Sequence, residues 1–140
     1  MSRIFWDTNL LIYLIEGKGE LFERTRFVAE RMLERGDQLC TSTFTLGELL
    51  VKPVEKRDEV LRQTYERILA RHVLLIPFDT QAARIYAHVR QDRSVHPPDA
   101  IQLSCAAAAR VDLFITNDDR LNHKVIPGIQ FVTSLRGAFV

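Results

Sequence analysis

The sequence predicts an α/β fold built on a mainly parallel sheet. Two observations carry that expectation. Short apolar runs of strand length alternate with longer segments whose apolar residues recur at helical spacing. The alternation runs along all 140 residues without repeats, low-complexity tracts or a linker, so a single domain over residues 1–140 is the simplest division.

The elements follow in order. Arg3 to Trp6 reads as a strand ending at Asp7, and Asn9 to Glu16 as an apolar helix stopped by Gly17. Glu20 to Arg35 places Leu21, Phe22, Phe27, Val28, Met32 and Leu33 at helical spacing before Gly36. Gln38 to Thr41 predicts a second strand, and Thr43 to Lys52 a helix that Pro53 interrupts. Asp58 to His72 is amphipathic, with Val60, Leu61, Tyr65, Ile68 and Leu69 expected inward and its charges forming a solvated face. Val73 to Phe78 is strand-like, and Asp79-Thr80 starts a helix through about Gln91. Pro97-Pro98 opens an Ala-rich helix to about Arg110, since proline suits a first helical turn. Leu113 to Thr116 is a strand, Asp119 to Lys124 a short helix, and Gln130 to Val132 a last strand.

Composition narrows the function classes. Hydrophobic content of 46% and charged content of 26% are those of a globular chain, so disorder is not expected. The apolar run Leu10 to Ile15 is far shorter than the ~20 residues that span a bilayer. "MSRIFWDTN" lacks a signal-peptide layout, which makes a cytoplasmic protein with no membrane association the expectation. Cys40 and Cys105 stand alone, without metal-ligand spacing, and predict buried, reduced thiols. The net charge of +1 gives no overall basic signal for nucleic acid.

Ligands of parallel sheets bind beyond the carboxyl ends of the strands. Asp7 directly follows the first strand, and Asp118 follows "LFIT". Glu48 lies in the helix after the second strand, and Asp99 in the first turn of the helix opened by Pro97-Pro98. Each has a structural explanation of its own. Asp7 and Asp118 can cap helices, and Asp99 can favour a helix's positive end. Glu48 sits among Phe44, Leu46, Leu49, Leu50 and Val51 in a helix expected to be mostly buried, where a lone carboxylate needs an arginine partner or a cation. If the four converge, their mutual repulsion is relieved by a divalent cation. Oxygen donors without a histidine or cysteine partner favour Mg²⁺ or Mn²⁺ over Zn²⁺. Such a site suits phosphodiester hydrolysis, because the cation offsets repulsion between acidic pocket and anionic backbone and activates water.

The stretches "IFWDTNLLIYL", "TSTFTLGELL", "PPDAIQLSCAAAA" and "VDLFITNDDRL" resemble the successive motifs of PIN-domain ribonucleases, especially prokaryotic VapC-like toxins of type II toxin–antitoxin systems. The resemblance runs from Ile4 to about Val132. It implies a three-layer α/β/α sandwich, often homodimeric, that cleaves RNA with Mg²⁺ or Mn²⁺. It makes Asp7, Glu48, Asp99 and Asp118 the catalytic and metal-binding acids. Thr8, Asn9 and Thr116 are then the groups that position phosphate or water. It also implies a cognate antitoxin protein as partner. Asp119 is either a fifth acid or the first residue of the short helix, and His96 either approaches the phosphate or is a surface histidine. Two other readings remain. One is a catalytically silent PIN-fold module that binds RNA or protein. The other is a phosphoaspartate domain using Asp7, which would want a second acid where Asn9 stands.

Overall fold

The computed structural model describes residues 1–139. The predicted domain reaches Val140, which lies outside them. Five parallel strands form one sheet in the order β3-β2-β1-β4-β5. They are β1 (Arg3–Trp6), β2 (Gln38–Ser42), β3 (Leu74–Ile76), β4 (Leu113–Thr116) and β5 (Phe131–Ser134). Six α-helices connect them: α1 (Thr8–Glu16), α2 (Glu20–Arg35), α3 (Thr43–Glu55), α4 (Glu59–His72), α5 (Thr80–Val89) and α6 (Pro97–Ala108). The chain is a three-layer α/β/α sandwich, as expected.

The layering follows from handedness. Crossovers between parallel strands are right-handed, so reversing the direction of travel along the sheet changes the face that the helices cover. From β1 to β3 the chain steps one way, and α1 to α4 lie on one face. The return to β4 on the far side of β1 puts α5 and α6 on the other.

Alternation along the strands shows both faces being filled. Phe5, Cys40, Ile76, Phe114 and Val132 join the core with Ala82, Val89, Ala100, Leu103 and Ala106 of α5 and α6. Ile4, Trp6 and Ile115 point the other way, to Leu10, Leu11, Val28, Met32, Leu49 and Leu69. Phe5 and Phe114 stack across neighbouring strands at 5.0 Å between centroids, a contact worth ~0.5–1.5 kcal/mol beyond its buried area.

Gly17 and Gly36 end α1 and α2 in the left-handed conformation, at φ 70° and 72°. A residue with a Cβ is strained there, which is why both helices stop at glycine.

Several expectations need correction. Helix α3 continues through Pro53 to Glu55, because Pro53 packs on the same buried stripe as Thr45 and Leu49. Tertiary burial there outweighs the lost backbone donor. The predicted strand Val73 to Phe78 is only Leu74–Ile76, and the last strand is shifted to Phe131–Ser134. The short helix after β4 is one 3₁₀ turn, Asp119–Leu121. Of the residues expected inward, Val60 and Ile68 are exposed, as are Leu21, Phe27 and Leu33 of the apolar spacing in α2. Periodicity marks an apolar face, but an outer helix buries only the strip that meets the sheet or a neighbour.

Among the described residues no helix is long and apolar enough to cross a membrane. Cys40 and Cys105 are free and buried, as expected.

Candidate functional site

The strand order reverses between β1 and β4, which opens a crevice at their carboxyl ends. Asp7 follows β1 at this point. Its backbone N–H donates to the Ile115 carbonyl at 3.0 Å, so the sheet ladder itself fixes its position. The residue is 8% exposed and caps α1, its Oδ1 accepting the Thr8 N–H at 2.9 Å. On the other oxygen, Oδ2, it accepts the Thr116 hydroxyl at 2.9 Å. Gln102 Nε2 approaches Oδ1 at 3.3 Å. Burial pushes the Asp7 carboxyl upward from the usual range, and the nearby Asp118 charge adds to this. The hydrogen bonds from Thr116, Thr8 and Gln102 pull it back down.

Asp118 follows β4 and caps the 3₁₀ turn. Its N–H donates to Thr116 Oγ1 at 3.0 Å, so one threonine hydroxyl contacts both Asp7 and the Asp118 backbone. Arg120 engages the Asp118 carboxylate with Nη2 at 2.7 Å and Nε at 3.0 Å, and these hydrogen bonds hold Asp118 below the usual carboxylate range. The same Nη2 stands 3.8 Å from Asp99. Asp99, in the first turn of α6, is half-buried. Desolvation raises its pKa first, then repulsion from Asp7 and Asp118, opposed by the charges of Arg120 and His96. Asp7, Asp99 and Asp118 thus share one electrostatic neighbourhood.

Glu48 stands differently from expectation. It is exposed on α3, one step off the buried stripe of Thr45, Leu49 and Pro53, so the cost of burying a lone carboxylate does not apply. Among the described residues it has no ion-pair partner. It is tied to the site through Thr8, whose hydroxyl donates to Glu48 Oε1 at 2.6 Å.

Behind the acids lies a buried polar network that the sequence reading did not single out. Gln102, 2% exposed on α6, donates from Nε2 to Thr8 Oγ1 at 2.9 Å and to Thr45 Oγ1 at 2.7 Å. Its Oε1 accepts the Ser42 hydroxyl. Thr41 gives its proton to the Trp6 carbonyl at 2.8 Å, and its oxygen lies 2.9 Å from that of Thr45. Counting protons fixes the polarity at Thr8. Its single proton goes to Glu48 while its oxygen accepts from Gln102. The amide of Gln102 therefore stands behind both Asp7 and the Thr8–Glu48 link. A glutamine in the otherwise apolar "AIQLSCAAAA" was the available signal.

The remaining sequence candidates fall outside this network. Asn9 is exposed. Asp119 is exposed and lines a neighbouring groove with Arg24, Asn117 and Arg136. His96 precedes α6 without capping it, its ring nitrogens 3.4 Å from Arg120 Nη1.

The donor chemistry fits a hard divalent cation: carboxylate oxygens, mutual repulsion at Asp99 and Asp7, and a rigid hydrogen-bonded shell. Among the described residues, however, no three acidic, histidine or cysteine side chains are grouped closely enough to hold a metal ion. The positive charge found among the acids belongs to Arg120.

Solved structures extend the comparison. The chain is similar to one in the VapBC2 complex of Rickettsia felis bound to a DNA fragment from their promoter, with TM-score 0.68 and 17% identity over 94% of this chain and 98% of that one. It is similar to a chain of DNA-bound VapBC from Salmonella typhimurium, with TM-score 0.65 and 25% identity over 96% and 99%. A toxin–antitoxin complex from Klebsiella pneumoniae gives TM-score 0.62 and 24% identity over 90% and 94%. No curated protein sequence matches the chain. The PIN domain model matches residues 4–126, from β1 past the 3₁₀ turn. The chain belongs to the PIN domain family.

Proposed function

We propose that this chain, as one nuclease domain, is a Mg²⁺- or Mn²⁺-dependent endoribonuclease and the toxin of a toxin–antitoxin pair. The carrying observation is the gathering of Asp7, Asp99 and Asp118 at the β1/β4 crevice, with Glu48 joined to them through Thr8. The likeness to VapBC chains supports the toxin reading and a cognate antitoxin as partner. A cytoplasmic homodimer acting on RNA completes the proposal.

Asp7, Glu48, Asp99 and Asp118 would hold the cation. When bound, it supplies Lewis acidity that activates water and stabilises charge on the phosphate oxygens. The chain's own groups do the rest. Thr116 holds Asp7 in one orientation and, through its oxygen, ties the turn that carries Asp118. Gln102 donates to the Thr8 oxygen, so the Thr8 proton remains directed at Glu48. These contacts fix the acids before substrate arrives, which is how a rigid shell lowers the reorganisation required during reaction.

The test is cleavage of RNA by purified protein with Mn²⁺. The proposal expects activity that EDTA abolishes and that Asp7→Asn and Asp99→Asn each reduce by ~100-fold or more with the fold intact by circular dichroism. Cleavage surviving both substitutions would sink the mechanism. One observation favours a non-cutting RNA- or protein-binding module instead: Arg120 already neutralises part of the acidic cluster. That reading expects RNA binding without cleavage under every divalent cation tried.

A further inference from the structure

Arg120 occupies an unusual position for an exposed arginine. Its fork grips both oxygens of Asp118, its Nη2 also faces Asp99, and its Nη1 rests against His96. A guanidinium matches a carboxylate through parallel N–H bonds, and here one guanidinium serves two acids at once.

We propose that Arg120 is the resident counter-cation of the acidic crevice, and that a divalent cation displaces it from Asp118 and Asp99 on binding. The proposal rests on the four acids being metal ligands, as set out above. Three observations support the exchange. Arg120 pairs with Asp118 and faces Asp99, while Asp7 receives no bond from it, so the cluster remains under-neutralised. The Arg120 side chain is 56% exposed, and its contacts to the acids are hydrogen bonds and ion pairs, so it can leave at little expense. Both oxygens of Asp118 are turned to Arg120, which accords with the lack of a closed metal-holding group among the described residues.

The Arg120 backbone N–H also donates to Asp118 Oδ1, at 3.0 Å. That bond is independent of the side chain, so the turn keeps its cap when the side chain is changed. Arg120→Gln is therefore a clean probe. Release of the guanidinium would also leave a cation at the mouth of the crevice, free to meet an anion.

The experiment is Mn²⁺ binding, read by the electron paramagnetic resonance signal of free Mn²⁺, without substrate. Wild type, Arg120→Gln, Arg120→Lys and Asp99→Asn are compared. If Arg120 competes for the acids, Arg120→Gln binds Mn²⁺ about 2- to 5-fold more tightly than wild type, the range that exposed charge pairs support. Arg120→Lys, which keeps the charge but loses the fork, falls between them. Equal or weaker binding by Arg120→Gln overturns the proposal while leaving the metal site standing. Absence of Mn²⁺ binding in the wild type and both Arg120 variants, or binding indifferent to Asp99→Asn, overturns the four-acid reading and this inference with it.

Discussion

The Thr116 hydroxyl donates to Asp7 Oδ2 at 2.9 Å, joining residues 109 positions apart at the ends of adjacent parallel strands. The contact exists because β1 and β4 are neighbours only where the sheet order reverses, and both chain exits therefore face one crevice. Thr116 is fully buried, so its hydroxyl has no water to turn to. Its removal should be felt at Asp7. Thr116→Val keeps shape and loses the donor; cleavage should fall about tenfold, corresponding to ~1.4 kcal/mol from one hydrogen bond to a charged group. Single-turnover rates on a labelled RNA measure this. Unchanged rates would show that Asp7 does not need the bond.

Gln102 should matter to stability as well as to the site. Gln102→Met leaves the Ser42 hydroxyl without its acceptor and the oxygens of Thr8 and Thr45 without their shared donor. Buried polar groups left unpaired destabilise by ~1–3 kcal/mol. Urea unfolding should show a loss in that range, whereas an unchanged midpoint would mean the network carries no net stability.

A pH prediction comes from the loop that leads into α6. Lys124 Nζ donates to Asp92 at 2.7 Å, and with the Ser94 hydroxyl and N–H it lowers the Asp92 pKa to about 2 from an ordinary 3.8. A depressed carboxylate stabilises the fold above its unfolded pKa, and that contribution disappears as pH falls through the folded one. Asp92→Asn should therefore be less stable than wild type near neutrality. The difference should shrink between pH 3.8 and about 2. Unfolding midpoints at several pH values test this, and a gap that stays constant contradicts it.

The cysteines should be silent in the native protein. Burial pushes both Cys40 and Cys105 up to about 11, leaving little thiolate at pH 8. Iodoacetamide should label neither until denaturant is added. Rapid labelling of the native protein would mean that one of the two faces solvent.

The residues that sequence made legible share a property. Asp7, Asp99 and Asp118 stand immediately after a strand or at the start of a helix, where local pattern alone fixes their place in a parallel sheet. β1, α2 and β4 were equally local, and their predicted bounds match. What was missed depends on tertiary neighbours. Pro53 continues α3 because of the core it meets, and Glu48 is exposed because α3 buries a narrow stripe. Gln102, Ser42 and Thr45 become a network only when α6 lies against the end of β2. Arg120 stands within the predicted short helix, and only the folded turn sets it between two acids.

The adjacent aspartates supply the most direct measurement of the central claim. Asp118 belongs to the acidic crevice, and Asp119 is turned to the neighbouring groove with Arg24 and Arg136. Asp118→Asn and Asp119→Asn remove the same charge one residue apart. In Mn²⁺-supported cleavage of a labelled RNA, Asp118→Asn should lose ~100-fold or more while Asp119→Asn stays near wild type. Loss at Asp119 with Asp118→Asn still active would contradict the account.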